Sequence, residues 1–201
     1  MNQKILKIGI TGGIGSGKTT VCSIFETLAI PIYYADDRAK RLMTEDSTLV
    51  AAIKNLFGGD AYDSNGVLNR PFIAQIVFNE PAKLQSLNAL VHPAVRRDAQ
   101  NWHENQLNTP YTLQEAALLF ENNSYKLFDK IIVVSAPQEV RLQRVLQRDK
   151  IDSKAVLARM AQQLPETDKV KKADFVIFND GKTLLVPQVM AIHQRFKIAN
   201  T

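Results

Sequence analysis

The chain has 201 residues, 45% of them hydrophobic and 22% charged, which suits one globular unit with a real core and room for an inserted subdomain. A membrane-spanning helix needs roughly 18 apolar residues, whereas the longest stretches without Asp, Glu, Lys or Arg are the twelve residues of 84–95 and of 183–194, so no segment spans a membrane. The net charge of +5 suits polyanionic small substrates or nucleic acid without choosing between them, and Cys22, the single cysteine, excludes an intrachain disulfide and any zinc site built on several cysteines. The opening residues lack the long apolar core of a secretory signal, so a cytoplasmic location is expected.

Residues 4–11 form a short apolar run (Ile5, Leu6, Ile8, Ile10) that stops at Gly12-Gly13, as a buried parallel strand does on entering a turn. Beyond Gly17 the period changes: Val21, Ile24, Phe25 and Leu28 fall at i, i+3, i+4 and i+7, one face of a helix lying against a sheet. Residues 31–35 read as a second strand, followed by Asp36-Asp37-Arg38 where its carboxyl end falls. Residues near 38–57 and 70–107 read as helical, and further strands are predicted at 111–117, 130–135 and 175–178. Helices are predicted at about 137–148, at 152–163 and at the end of the chain. Apolar strands alternating with helices predict an α/β fold with a parallel sheet. The helical block between the second and third strands, about seventy residues, is too long for a simple crossover and reads as an inserted subdomain that holds a substrate.

Gly12-Gly13-Ile14-Gly15-Ser16-Gly17-Lys18-Thr19 fits G-x-x-x-x-G-K-[ST] in full, between a predicted strand and a predicted helix. Glycines let backbone N–H groups approach phosphate oxygens, and the following helix adds the positive end of its dipole. Lys18 then reaches the β- and γ-phosphates of a nucleoside triphosphate, and the Thr19 hydroxyl ligates Mg²⁺. A GTPase needs a guanine-reading Asn-Lys-x-Asp, which the sequence lacks.

Other residues carry two readings each. Asp36, at a strand end neighbouring the glycine loop, could take a proton from an attacking hydroxyl or could cap the next helix. Glu115 could hold Mg²⁺ through water or be a solvated strand-end residue. Arg141, Arg144 and Arg148 recur at i, i+3 and i+7 on one helical face, with Arg159 on the next helix; this is either solvated surface or a lid that closes on ATP. Arg70, His92, Arg96 and Arg97 could hold an acidic substrate, while His92-Pro93 could equally break a helix. Asn179 could contact a base, or Asn179-Asp180-Gly181 could be a simple turn.

Taken together these residues resemble the dephospho-CoA kinase family. Residues 11–20, Thr-Gly-Gly-Ile-Gly-Ser-Gly-Lys-Thr-Thr, are similar to that family's opening, which usually has serine at the position of Thr19. Tyr34-Ala35-Asp36 falls where the family writes Asp-Ala-Asp, keeping the family's proposed base as Asp36. Leu68-Asn69-Arg70 resembles Leu-Asp-Arg, and 117–121 (Ala-Leu-Leu-Phe-Glu) resembles Pro-Leu-Leu-Phe-Glu. Val77-Phe78, His92-Pro93, Gln163, Ala173-Asp174 and Asn179 complete the series. Arg144 and Arg148 match the lid arginines, while Arg141 stands where glutamine is common.

The resemblance implies a phosphate-loop NTPase-type, three-layer α/β/α core with a five-stranded parallel sheet. Core residues at about 1–36, 108–137 and 173–201, a helical acceptor-binding insertion at about 37–107 and a lid at about 138–172 are expected. It further implies transfer of the γ-phosphoryl group of ATP to the ribose 3′-hydroxyl of dephospho-CoA. Asp36, Lys18 and Arg144 would act in catalysis. Gly13, Ile14, Gly15, Ser16, Gly17, Lys18, Thr19, Thr20, Arg144, Arg148 and Asn179 would bind nucleotide. Asp36, Arg70, His92, Leu118 and Leu119 would bind acceptor, and Thr19 with Glu115 would hold Mg²⁺. Neither nucleic acid nor membrane is an expected partner, and a monomer or weak homo-oligomer is expected.

Overall fold

The computed structural model describes residues 4–198; residues 1–3 and 199–201, which the sequence reading includes in the core, lie outside the described residues. Among these residues two compact units are present, one made of residues 4–34 and 106–198, the other of residues 35–105.

The larger unit holds five strands, β1 (Leu6–Thr11), β2 (Ile32–Tyr34), β3 (Tyr111–Glu115), β4 (Lys130–Ser135) and β5 (Phe175–Phe178). All pair in parallel, in the order β2-β3-β1-β4-β5. Helices α1 (Lys18–Thr27), α6 (Gln138–Asp149), α7 (Ser153–Ala161), α8 (Glu166–Lys172) and α9 (Leu185–Ile198) accompany them.

Successive strand residues point to opposite faces, and β4 shows the consequence. Ile132 and Val134 pack into a cluster with Val21 and Phe25 of α1 and Val189 and Phe196 of α9. Ile131 and Val133 pack instead with Leu119, Phe120 and Val170 of α8. Both faces are covered, giving the three layers expected, and this explains why the strand reads as a continuous apolar run. The connection after β1 covers one face and the one after β3 the other, so the winding reverses beside β1, where α/β sheets bind ligands outside their carboxyl ends.

Tyr111 and His193 tie α9 to β3, the Tyr111 hydroxyl lying 2.7 Å from His193 Nδ1 in a buried hydrogen bond. Desolvation, with the charge of Lys197 adding, holds the His193 pKa below its ordinary 6.5. The folded state therefore binds fewer protons than the unfolded one, and stability is lost as pH falls through about 6.5, levelling off below the folded-state pKa. Wild-type Tm is expected to fall between pH 7.5 and 5.5, and His193→Gln to flatten that fall. Melting curves at the two pH values check this, and equal slopes for both proteins would contradict it.

The smaller unit contains α2 (Ala35–Glu45), α3 (Ser47–Phe57), α4 (Arg70–Asn79) and α5 (Pro81–Glu104) around Leu42, Leu49, Ile53, Leu68, Ile73, Val91 and Ala94. Each predicted helical block is thus a pair. Asp46 divides the first by accepting from the Thr48 and Leu49 N–H groups as an N-cap. Glu80-Pro81 divides the second, with Pro81 in the first turn of α5, where its missing N–H costs nothing. The alternative break at His92-Pro93 is corrected: α5 runs through Pro93 without interruption. Asn69 caps α4 by accepting from Phe72 N–H at 3.3 Å, a role that aspartate fills equally well. Arg38 of α2 grips Asp98 of α5 with two hydrogen bonds of 2.9 and 2.7 Å.

Candidate active site

The glycine loop runs from the end of β1 into α1, and its glycines answer to close neighbours. At Gly17, φ is 90° and an added Cβ would lie 2.1 Å from Asn179 Nδ2. At Gly15, φ is 79° and a Cβ would lie 2.5 Å from the Arg141 carbonyl oxygen. Both positions combine a left-handed backbone with no space for a side chain. α1 starts at Lys18 with no side-chain cap, so the first N–H groups of the helix are available to an anion.

Lys18 is folded back over the loop. Its ammonium donates to the Gly12 carbonyl at 3.2 Å and lies 3.7 Å from Glu115 Oε1. Glu115 is 8% exposed, so it is not the solvated strand-end residue of the alternative reading. Beneath them Cys22 is buried, and burial, with the charges of Glu115 and Glu26 adding, pushes its thiol far above the ordinary range and keeps it neutral. Thr19 and Thr20 are exposed at the head of α1.

One expectation about placement is corrected. The strand order puts β3, carrying Glu115, between β2 and β1, so the strand ends that lead to Asp36 and to the glycine loop are not neighbours. Two strand spacings, about 10 Å, separate them. Tyr34 pairs in register with Glu115, and Asp36 follows two residues later in the first turn of α2. Because α2 begins at Ala35, Asp36 is inside the helix and is not its cap. Tyr34, which stands in place of an aspartate, turns its hydroxyl onto Glu26 Oε1 at 3.0 Å. Desolvation, reinforced by that bond, raises its pKa and keeps the phenol neutral.

The three arginines of α6 have different surroundings. Arg141 is buried, with Nε donating to the Ala136 carbonyl at 3.0 Å and the guanidinium packed against Gly13. Arg144 donates to the Asn179 carbonyl and to Asn179 Oδ1, each at 3.1 Å, and lies 3.5 Å from the Gly15 and Ser16 carbonyls. Arg148 is exposed and bound to its neighbour Asp149 at 2.7 Å, a carboxylate it shares with Arg159. The three form a graded series, from buried support at Arg141 to an exposed ion pair at Arg148.

Asn179 is a bracket. Its Nδ2 donates to the Ser16 carbonyl at 2.8 Å while Oδ1 accepts from Arg144, so its side chain holds the loop. Asp180 Oδ1 accepts from the Lys182 and Thr183 N–H groups, which is the turn of the simpler reading. Sequence reasoning assigned no role to Gln163, whose Oε1 accepts from Ile14 N–H at 2.8 Å. Its place in the family resemblance is the trace of this contact in the sequence.

In the segment after β3, Leu119 is 1% exposed inside the core and offers no surface to an acceptor, whereas Leu118 is 44% exposed. Arg70, in the helical unit, donates to the Lys40 carbonyl at 3.1 Å. Desolvation and the charge of Arg96 hold the His92 pKa below its ordinary value. Among the described residues no cluster of three or more His, Cys, Asp or Glu could hold a metal. Thr19 and Glu115 are nonetheless hard-oxygen donors of the kind that suits Mg²⁺, which keeps most of its waters and takes its other ligands from phosphates.

A five-stranded parallel sheet of this order, with a glycine loop at the end of its central strand and a lysine folded over that loop, defines a phosphate-loop nucleotide-binding protein. A family model described as dephospho-CoA kinase matches residues 6–184, and a dephospho-CoA kinase of Leptospira interrogans is 40% identical over 179 residues, covering 89% of this chain and 86% of its own length. The chain belongs to the dephospho-CoA kinase family, transferases that phosphorylate a hydroxyl group. Among solved structures, TT1252 from Thermus thermophilus has 32% identity and a TM-score of 0.82, covering 99% of this chain and 100% of its own. Dephospho-CoA kinase from Campylobacter jejuni has 27% identity and a TM-score of 0.71, with 97% and 98% covered.

Proposed function

We propose that the chain transfers the γ-phosphoryl group of ATP to the ribose 3′-hydroxyl of dephospho-CoA, giving coenzyme A and ADP in the last step of coenzyme A synthesis. The observation that carries this reading is the glycine loop with Lys18 held between the Gly12 carbonyl and Glu115, in a chain whose family match covers residues 6–184. Incubation with Mg-ATP and dephospho-CoA, beside a panel of nucleosides and nucleotides, tests it. ADP release is expected with dephospho-CoA and not with the panel.

In this reading the residues of the loop, Gly13 to Thr20, cradle the phosphates, and Lys18 swings from Gly12 and Glu115 onto the β- and γ-phosphate oxygens. Thr19, with Glu115 through water, would hold Mg²⁺, which when bound neutralises charge on those oxygens. Asp36 orients the acceptor hydroxyl and takes its proton. Arg144, already at the Gly15 and Ser16 carbonyls, stabilises the charge in transfer. Arg70, His92 and Leu118 contribute to acceptor binding. Arg148 contacts nucleotide only after leaving Asp149. The enzyme works in the cytoplasm on two small molecules, without nucleic acid, as a monomer or weak homo-oligomer.

Arg144→Ala is expected to lower kcat by at least about tenfold, because it removes both charge and the support of Asn179. Arg148→Ala, which removes an exposed side chain that must first leave Asp149, should change kcat less than Arg144→Ala does. Steady-state kinetics of the two variants check the order, and the reverse order would move the catalytic arginine to position 148.

A further inference from the structure

Between α7 and α8 the chain returns to the glycine loop through residues 162–165, and two consecutive residues there are held in different ways. The Gln163 side chain reaches the loop, its Oε1 accepting from Ile14 N–H at 2.8 Å. The next residue is gripped by its backbone, Leu164 N–H donating to Glu121 Oε1 at 2.9 Å. Glu121 lies in the turns after β3, more than forty residues away in sequence, and faces Lys169 of α8 across an ion pair of 3.0 Å.

That pair is in an unusual place for a contribution to stability. The Lys169 side chain is 0% exposed, and among the described residues Lys169 Nζ itself, Glu121 Oε2 and Glu166 Oε1 are buried without a hydrogen-bond partner, so the pair is held by charge alone. Burial pushes the Glu121 pKa up, but the Leu164 N–H and the Lys169 ammonium outweigh it and hold the carboxyl below its ordinary range, so the group is charged. A buried pair of this kind does little more for stability than two packed apolar side chains would. What Glu121 does provide is a fixed acceptor for one N–H of the return segment, adjacent to the residue whose side chain meets the glycine loop.

We infer that Glu121 is a positioning residue for nucleotide binding: it fixes the backbone at Leu164 so that Gln163 holds the Ile14 amide and, with it, the shape of the phosphate-binding loop. This rests on the reading of residues 12–19 as the nucleotide site. Lys169 neutralises the carboxylate that the task requires, and Arg141, packed against Gly13, supports the loop on the same flank.

ADP is the probe, titrated calorimetrically into the full chain with Tm measured in parallel. Lys18→Met tests the nucleotide site itself. Gln163→Leu removes the acceptor for Ile14. Glu121→Leu/Lys169→Met removes the acceptor for Leu164 together with the ammonium it would otherwise strand, and Glu121→Gln/Lys169→Met restores an uncharged acceptor.

Gln163→Leu and Glu121→Leu/Lys169→Met are expected to weaken ADP by about three- to tenfold each, the scale of one hydrogen bond. Combined, they should weaken it no further than the stronger of the two, because both act through the same contact. Glu121→Gln/Lys169→Met should bind within about twofold of wild type, which a general loss of packing would not allow. Unchanged ADP affinity in Gln163→Leu or in Glu121→Leu/Lys169→Met, whatever the Tm, would overturn the inference, as would full additivity. ADP binding indifferent to Lys18→Met would overturn the nucleotide reading, and the inference with it.

Discussion

Lys18→Met is expected to lower kcat with Mg-ATP and dephospho-CoA by about 10²–10³-fold, the usual loss when one preorganised charge is removed from a transition state. Methionine keeps the length and most of the apolar stem, so the change is confined to the ammonium. In the structure that ammonium meets the Gly12 carbonyl at 3.2 Å and Glu115 at 3.7 Å, contacts weak enough to be exchanged for phosphate oxygens. Without it, Glu115 loses the ammonium that faces it and the phosphates lose a cationic partner, so ATP affinity should fall as well as kcat. The fold should survive, since the strand and helix on either side are anchored by Ile8, Ile10, Val21 and Phe25. Steady-state kinetics with circular dichroism check this, and a variant with near-normal kcat would remove Lys18 from phosphoryl transfer.

Asp36→Asn carries the second large effect. A general base contributes typically ~10²–10⁴-fold, and kcat should fall by about that factor while the KM for ATP stays nearly constant. Asparagine preserves size and can still hydrogen-bond a hydroxyl, but it cannot take the proton. Asp36 is exposed in the first turn of α2, where a carboxylate favours the helix dipole by only about 0.3–1 kcal/mol. Melting should therefore shift little, and a large loss of kcat at nearly constant Tm separates a chemical role from a helix-stabilising one. Equal loss of Tm and activity, or kcat close to wild type, would contradict the assignment.

The parts of this architecture that were readable in sequence are those set by short-range rules. Ile131 to Val134, four consecutive β-branched residues, announce a strand covered on both faces, and the period change after Gly17 announces α1. The glycine loop is legible because its chemistry demands small residues at fixed spacing. α8 escaped because its seven residues, Glu-Thr-Asp-Lys-Val-Lys-Lys, carry a single apolar side chain and no helical period, although Lys169 within it is wholly buried.

Relations between distant segments were the least readable. Sheet order decides that β3 separates the strands leading to Asp36 and to the glycine loop, and nothing local encodes that order. Helical spacing placed Arg141, Arg144 and Arg148 together, yet only packing decides that the first is buried behind Gly13 while the last is in solvent. Asn179 was a base contact by one reading and a turn by the other; its role as a bracket on Ser16 depends on β5 ending beside the loop.

In the proposed reaction, residues 12–19 deliver a phosphoryl group to one hydroxyl of dephospho-CoA. The most direct test is to incubate the protein with Mg-ATP and dephospho-CoA, count the ADP released against the acceptor consumed, and locate the new phosphate by mass and phosphorus NMR. One ADP per acceptor, with the phosphate on the ribose 3′-oxygen and both lost in Lys18→Met, is the predicted result. ADP formed without acceptor, or a phosphate on a nucleoside in place of dephospho-CoA, would contradict the account.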